Sequence, residues 1–199
     1  MAHPFILASG SEIRATLLRN AGLSAETIPA KIDEHTIKAA MLAEEASPRD
    51  IADALAEHKA RRISAKHEDA LVLGCDQVAE LGGALLSKPE NPGAAKAQLH
   101  ELAGRTHRLL SAAVICKAAE PIWRHVGVVR LTMRSLSDDY VDDYLARNWE
   151  SIRHSVGGYK LEEEGVRLFS RIDGDYFTVL GLPLIELLAY LIDRGELAI

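Results

Sequence analysis

Short apolar runs alternate along the chain with segments whose apolar residues recur at helical spacing. The first run, 4–8, precedes a Ser-Gly-Ser turn and a segment of helical spacing that ends before Gly22. This order predicts a strand, a tight turn and a helix. Two further apolar runs, 71–74 and 109–116, predict buried strands.

Capping residues mark further helices. Ser47-Pro48-Arg49-Asp50 places a capping hydroxyl before a first-turn proline, which predicts a helix to about Ala65. Asn91-Pro92 predicts the start of another helix, which stops at Gly104. The remaining two helices are predicted after Ser137, where Asp138 and Asp139 suit a helix N-terminus, and over 184–192, after Pro183.

The C-terminal third contains extended segments. Residues 131–134 and 166–171 have partly alternating patterns, Asp173-Gly174 is a turn signal, and 176–180 is predicted to return as a partner strand in a hairpin. Helices and strands alternate without repeats or long linkers. The sequence therefore predicts an α/β fold with a mixed, twisted sheet and flanking helices, in a single domain over 1–199.

Composition narrows the class of protein. The 199 residues carry 23 Lys+Arg and 29 Asp+Glu, a net charge of −6, with 48% hydrophobic residues. This favours a globular protein and argues against binding to nucleic acid or an anionic membrane, because both need a concentrated basic surface. With only two cysteines, no long apolar stretch and no signal-like pattern in the N-terminal residues 1–7, we expect a cytoplasmic protein.

The turn after the first strand is a candidate phosphate site. Ser9, Gly10 and Ser11 place backbone N–H groups and two hydroxyls at a helix N-terminus, and Arg14 follows one turn later. The same residues also serve as ordinary cap and turn residues, and Glu12 adds a negative charge. The pattern alone leaves both interpretations open.

Asp76 is a candidate catalytic carboxylate because it comes just past an apolar strand, where active-site carboxylates of open α/β sheets often lie. A turn aspartate that bonds its own backbone is the alternative. Lys59 and Lys88 are available cations, but lone lysines are usually solvated.

The loop pair Asp33-Glu34 suits a hard divalent cation, although a solvated acidic pair is the simpler interpretation. None of the histidines has the spacing of a zinc site. The chain also lacks a Walker A loop, a Gly-x-Gly-x-x-Gly motif and a Gly-x-Ser-x-Gly motif, which argues against kinase-like, dinucleotide-binding and common hydrolase functions.

Taken in order, short motifs along nearly the whole chain form a recognisable pattern. They are Phe5-Ile-Leu-Ala-Ser-Gly-Ser-Glu-Ile-Arg14, Asp33-Glu34, Lys59-Ala60, Gly74-Cys-Asp-Gln77, Ser87-Lys-Pro89, Leu102-Ala-Gly-Arg-Thr-His107 and Gly181-Leu-Pro-Leu184. In these motifs the chain resembles the Maf family of nucleoside triphosphate pyrophosphatases.

The resemblance implies an enzyme that cleaves a nucleoside triphosphate between the α and β phosphorus atoms, similar to house-cleaning enzymes that remove unwanted nucleotides. It implies a deep nucleotide-binding cleft, a divalent cation (Mg²⁺ or Mn²⁺) and commonly a homodimer. Asp76 would be the catalytic base, and Glu34 and Asp76 would lie near the metal. The residues implied to bind the triphosphate are Ser9, Ser11, Arg14, Lys59 and Lys88.

Two segments of the chain bear on which base the enzyme prefers. The family's first motif usually continues Ser-Pro-Arg-Arg, whereas this chain has Ser11-Glu12-Ile13-Arg14, and the lysine of the pyrimidine-acting branch is missing near His154. The segment 157–162 and Asp76-Gln77 are more similar to the 7-methyl-GTP branch. Glu162 can accept from guanine N1–H and the N2 amine, and it attracts a positively charged 7-methylated ring. We therefore expect Ile13, Gln77 and Glu162 to set base choice.

Two other functions are compatible with parts of the sequence. Inosine/xanthosine triphosphate pyrophosphatases cleave the same bond, but their Thr/Ser-Gly-Asn-x-x-Lys motif is absent, since Ser11 follows Ser9-Gly10. A nucleotide-responsive regulator of cell division is the other alternative. Direct DNA binding is disfavoured by the acidic composition, and an intact Asp76 and Lys88 argue against a site that only binds.

Overall fold

The structure is a computed structural model that describes residues 3–198; Met1, Ala2 and Ile199 of the expected domain lie outside the described residues. The helices are α1 (Glu12–Asn20), α2 (Glu34–Ala43), α3 (Pro48–Ser64), α4 (Pro92–Leu102), α5 (Asp138–Ile152), α6 (Tyr176–Val179) and α7 (Leu184–Asp193), and a 3-10 helix covers Glu164–Leu168. Among residues 3–198, no helix combines the length and apolar character needed to cross a bilayer.

The strands are β1 (Phe5–Leu7), β2 (Glu26–Thr27), β3 (Leu71–Leu81), β4 (Ala84–Leu85), β5 (Thr106–Lys117), β6 (Glu120–Met133) and β7 (Phe169–Asp173). Within the described residues they form one sheet in the order β2-β1-β3-β5-β6-β7, with β4 paired to β3. β1 runs parallel to β2 and β3, whereas β4 pairs antiparallel to β3 and β7 antiparallel to β6. The predicted α/β fold with a mixed sheet and flanking helices is confirmed.

The chain divides into two compact units, neither of which is one continuous stretch. The first takes in the chain up to Gln77, then Leu110–Gly127, and the chain from Asp175 onward; the second consists of Val78–Leu109 and Val128–Gly174. Three of the boundaries therefore fall inside β3, β5 and β6.

In the first unit, apolar residues of β1 and of the start of β3 pack against α3. One buried cluster consists of Ile6, Ala8, Ile63, Ala70 and Val72. Continuous apolar runs are expected here, since strands of a parallel pair are buried on both faces. The core of the second unit contains fully buried side chains from α4, α5 and β6, which include Leu99, Leu102, Tyr144, Leu131 and Met133.

The predicted hairpin at the C-terminal end is wrong. The 3-10 helix precedes β7, and the residues expected as the returning strand form the short helix α6. The physical reason is a cap: the Asp175 carboxylate accepts a hydrogen bond of 2.8 Å from the Thr178 backbone N–H, which starts a helical turn.

Candidate active site

The apolar run predicted that Asp76 comes just past the end of a strand. In the structure Asp76 lies inside β3. The strand continues beyond its apolar start because the polar side chains of Asp76 and Gln77 form hydrogen bonds with Lys59 and Ser111. Asp76 is only 6% exposed. Its neighbour Cys75 is fully buried, and burial raises the pKa of this thiol to about 11, so Cys75 is a protonated packing residue.

A glycine lets α3 lie directly on β3. A Cβ atom added at Gly74 would be 2.1 Å from the carbonyl oxygen of Ala56 and 2.7 Å from the backbone nitrogen of Ala60. No side chain fits in that space, and this close approach brings Lys59 of α3 beside Asp76 of β3.

Lys59 joins two carboxylates. Its Nζ lies 2.6 Å from Asp76 Oδ1 and 2.7 Å from Glu34 Oε1, and the lysine is only 9% exposed. Burial by itself would lower the pKa of Lys59, but the charges and hydrogen bonds of Asp76 and Glu34 outweigh it and raise this pKa. Lys59 is therefore a charged ammonium group that holds one oxygen of each carboxylate.

The predicted acidic loop pair is the N-terminus of α2. Asp33 is the N-cap and accepts a hydrogen bond of 3.0 Å from the Thr36 backbone N–H, while Glu34 is the first helical residue. Hydrogen bonds from Thr36 lower the pKa of Asp33. The loop placement was wrong because the Asp33 carboxylate caps the Thr36 backbone N–H and so starts a helix at Glu34. Asp33 is thus committed to the helix, and Glu34 contacts Lys59.

The second oxygen of Asp76 is free for a ligand. Asp76 Oδ2 is buried and has no hydrogen-bond partner within residues 3–198. No group of three or more His, Cys, Asp or Glu side chains in that range is arranged to hold a metal ion. Asp76 and Glu34 nevertheless fit the usual mode of Mg²⁺, which takes one or two protein carboxylates and completes its shell with water and substrate phosphates.

The turn after β1 is organised around Arg14. Arg14 Nε donates to the Gly181 carbonyl oxygen (2.8 Å), and Nη1 donates to the Cys75 carbonyl oxygen (3.1 Å) and to Ser9 Oγ (3.2 Å). Among the described residues, Nη2 has no partner. The Ser11 backbone N–H donates to Ser9 Oγ (3.2 Å), and the Ser11 side chain makes no cap hydrogen bond. Ser9, Ser11 and Arg14 are therefore brought together.

Ile13 lies half-buried in the first turn of α1, between Ser11 and Arg14. Gln77 follows Asp76 on β3, and its amide is held inside the first unit. Gln77 Nε2 donates to Ser111 Oγ (2.8 Å), to the Val179 carbonyl oxygen (3.0 Å) and to that of Thr178 (3.2 Å).

The network around Gln77 was missed from the sequence. Ser111 is fully buried and also donates to the Thr178 carbonyl oxygen (2.7 Å). The available signal was a lone hydroxyl inside an otherwise apolar strand, since a buried serine normally has a polar partner.

Lys88 and Glu162 belong to the second unit. Lys88 is exposed between β4 and α4, on a segment that Gln98 anchors by donating to the Ser87 carbonyl oxygen (3.0 Å). Glu162 is also exposed and forms no ion pair within the described part of the chain.

The two glutamates after Glu162 are already engaged. Glu163 accepts hydrogen bonds from Ser151 Oγ (2.7 Å) and Lys160 Nζ (3.1 Å). Glu164 accepts from Arg147 Nη2 (2.8 Å) and Asn148 Nδ2 (2.8 Å), which lowers the pKa of Glu164 to about 2. Of the three consecutive carboxylates, Glu162 is the one available to a ligand.

Comparisons with known proteins find relatives along nearly the whole chain. A protein-family model described as Maf-like protein matches residues 4–194. Proteins named nucleoside triphosphate pyrophosphatase are 66% identical in Roseobacter denitrificans, covering 99% of each chain, and 63% identical in Ruegeria pomeroyi, covering 98% of each. A protein of Mesorhizobium japonicum named 7-methyl-GTP pyrophosphatase is 45% identical and covers 99% of each chain.

Proposed function

The chain belongs to the Maf-like protein family, and from that premise we propose that it is a nucleoside triphosphate pyrophosphatase. It hydrolyses the α–β phosphoanhydride and releases the nucleoside monophosphate and pyrophosphate. The observation that carries the proposal is the buried Lys59–Asp76 pair, in which Asp76 Oδ2 has no partner among the described residues. Relatives of 66% and 63% identity that bear this name support the same activity.

Asp76 acts as the general base. The water oxygen attacks the α-phosphorus while its proton passes to Asp76 Oδ2, and the bond from the α-phosphorus to the bridging oxygen breaks. The bridging oxygen leaves with the pyrophosphate group and keeps the bonding electrons. Lys59 holds Asp76 Oδ1 at 2.6 Å, so the carboxylate has a fixed orientation toward the water.

The triphosphate binds to cations and hydroxyls. Lys59 and Lys88 supply ammonium groups, and Arg14 supplies Nη2, since its Nε and Nη1 are used inside the protein. Ser9 and Ser11 supply hydroxyl groups near the N-terminus of α1, where the helix dipole also favours an anion. Lys88 and Arg14 offset part of the charge of a triphosphate, even in a chain whose net charge is −6. Lys59 contributes its remaining N–H donor, because its charge is already shared by Asp76 and Glu34.

Asp76 and Glu34 are the residues that would hold a divalent cation. Mg²⁺ or Mn²⁺ at that position would supply Lewis-acid polarisation of the α-phosphate and of the attacking water. The carboxylates of Asp76 and Glu34 are suited to this role because their shared contact with Lys59 holds them side by side.

The preferred substrate is 7-methyl-GTP. Glu162 accepts from the guanine N1–H and N2 amine and attracts the positively charged methylated ring. It is the exposed member of three consecutive glutamates, and a relative of 45% identity is named for this nucleotide. Gln77 offers its Oε1 oxygen, because its amide nitrogen is used by the protein, and Ile13 adds an apolar contact.

We further propose that the enzyme works as a homodimer in the cytoplasm on free nucleotides, without nucleic acid or membrane partners. Sedimentation velocity at micromolar concentration tests the dimer: a single species with the mass of one 21.7 kDa chain would contradict it.

Pyrophosphate release from UTP, dTTP, CTP, GTP, ITP and 7-methyl-GTP, with Mg²⁺ and with Mn²⁺, tests the proposed function. We expect 7-methyl-GTP to lead, and Asp76→Asn to lower kcat at least about 100-fold, as for loss of a general base. Asp69→Asn, the same change at an exposed position before β3, is the control and retains activity.

Each other outcome has a definite meaning. Activity led by UTP or dTTP would keep the reaction and reject the role of Glu162, and activity led by ITP would favour the inosine/xanthosine alternative. Absence of Asp76-dependent release from every nucleotide would favour a nucleotide-responsive regulator.

A further inference from the structure

Glu162 stands on a short irregular segment in the second unit. This segment, residues 157–165, lies after α5 and includes the first two residues of the 3-10 helix; it is called the Glu162 loop below. The Glu162 side chain itself is exposed and unpaired among the described residues. Any fixed direction of its carboxylate must therefore come from the backbone that carries it.

A buried aromatic residue anchors the loop. Tyr159 is 5% exposed, and its ring packs edge-on against Phe169, with ring centres 4.8 Å apart. The Tyr159 hydroxyl shares a hydrogen bond of 2.6 Å with Nε2 of His107, which is fully buried near the start of β5. Burial raises the pKa of Tyr159, so the hydroxyl keeps its proton for this bond.

Other contacts close the loop on either side of Tyr159. The Tyr144 hydroxyl donates to the Gly158 carbonyl oxygen (3.3 Å), and Gly158 has a φ of 69°, which favours glycine. At the far end, a Cβ added at Gly165 would be 2.4 Å from the Lys160 carbonyl oxygen. The backbone between these points is tightly folded on itself.

The hydrogen bond to the Tyr159 hydroxyl is the one contact of His107 that requires an imidazole among the described residues. Its second ring nitrogen, Nδ1, is buried and without a partner in residues 3–198, and an unsatisfied buried polar atom lowers stability. An apolar side chain of similar size would fill the same space without that loss. What the imidazole adds is the contact with Tyr159.

We propose that His107 is a positioning residue for base selection: by holding the Tyr159 hydroxyl, it fixes the Glu162 loop in the form from which Glu162 meets the base. This inference rests on the proposed function, because it concerns the choice between 7-methyl-GTP and GTP. His107 itself does not touch the substrate.

The test removes the hydrogen bond and little else. Tyr159→Phe keeps the ring and deletes the hydroxyl, and we expect the ratio of kcat/KM for 7-methyl-GTP to that for GTP to fall about fivefold, the usual effect of one hydrogen bond. His107→Leu has the same effect, whereas His107→Gln, whose amide can still bond the hydroxyl, restores most of the ratio. In a Glu162→Gln background, Tyr159→Phe leaves the ratio unchanged.

The matched control is Thr132→Val, which removes the 2.9 Å hydrogen bond between the Thr106 and Thr132 hydroxyls in the same unit. This variant keeps the nucleotide ratio. Amide hydrogen exchange gives a readout independent of activity: Tyr159→Phe speeds exchange in residues 157–165, and Thr132→Val does not.

An active Tyr159→Phe variant with unchanged ratio and unchanged exchange overturns the inference. So does a fall in the ratio that persists in the Glu162→Gln background, since the effect would then not pass through Glu162. A wild-type protein that releases pyrophosphate from neither nucleotide instead contradicts the proposed function, and the selection role of His107 falls with it.

Discussion

Lys59 and Asp76 are opposite charges that the fold withdraws almost completely from water. Removing a charge from water is unfavourable, so such a pair is stable only while each member keeps the other. Lys59 additionally contacts Glu34, which places a single ammonium group at the meeting point of two carboxylates. Loss of the Lys59 charge therefore affects both folding and the proposed catalysis.

Lys59→Met keeps the side-chain length and removes the charge. We expect the free energy of unfolding at pH 7 to fall by about 3–5 kcal/mol, because Asp76 is left as an unpaired buried carboxylate. Urea denaturation measures this change. Adding Asp76→Asn should recover part of the loss.

Lys66→Met, the same substitution at an exposed position just after α3, serves as the control and should change stability by less than about 0.5 kcal/mol. A Lys59→Met protein as stable as the wild type would show that the pair contributes nothing.

His107 gives the protein an acid-sensitive stability. Burial lowers the pKa of His107 from 6.5 to about 4, although the negative charge of Glu80 opposes the shift. The unfolded chain therefore takes up a proton below pH 6.5 that the folded protein does not. The contribution of neutral His107 is present above pH 6.5 and is lost as the pH falls toward 4.

Between pH 6.5 and pH 4.5 we expect the wild type to lose on the order of 2 kcal/mol of unfolding free energy that His107→Gln does not lose. Urea denaturation of both proteins at a series of pH values measures the difference. Parallel profiles for the two proteins would contradict this assignment. Glu80, Glu163 and Glu164, whose pKa values are lowered, affect stability in more acidic solution.

Among the elements, the contact between α3 and β3 depends on Gly74. Gly74→Ala would place a methyl group 2.1 Å from the Ala56 carbonyl oxygen, so the helix must move. We expect a loss of about 1–3 kcal/mol of stability, as for other overpacked sites, and a fall in kcat/KM because Lys59 moves with α3.

Thermal denaturation and pyrophosphate release measure the two effects of Gly74→Ala. Gly93→Ala is the control, since a Cβ there meets only Asn91 Oδ1, at 3.2 Å. A Gly74→Ala protein with wild-type melting temperature and activity would refute the close-packing argument.

Elements with strong local signals were predictable, and those that depend on remote partners were not. Ser47 and Asn91 cap the helices that their patterns predicted, and α3 ends at Ser64, close to the expected Ala65. By contrast, β3 continues past its apolar run because Asp76 and Gln77 meet side chains far along the chain.

The candidate site likewise contains residues that local sequence signals indicated and groupings that depend on remote contacts. Spacing alone made Asp76 a candidate, but nothing local linked it to Lys59, which is 17 residues away and joined to it only by the packing of α3 on β3. The resemblance to a family supplied that grouping. The deep cleft stays a prediction, and so do the roles of all the candidate site residues, which are Ser9, Ser11, Ile13, Arg14, Glu34, Lys59, Asp76, Gln77, Lys88 and Glu162.

At the scale of the whole molecule, the division of the chain bears on how it unfolds. One unit consists of three separate stretches of chain and the other of two, so neither can be produced as one continuous fragment. We expect one cooperative transition, in which the calorimetric and van't Hoff enthalpies agree, in keeping with the single domain predicted over 1–199. Two resolved calorimetric transitions would contradict that prediction.

The three consecutive glutamates also bear on how this protein can change over generations. Glu163 and Glu164 are tied to Ser151, Lys160, Arg147 and Asn148, so substitutions there disturb the scaffold. Glu162 has no such ties within the described residues. If Glu162 reads the base as proposed, mutations at this one codon are open to selection for a different nucleotide while the fold stays intact, and a duplicated gene could acquire a new preference by that route.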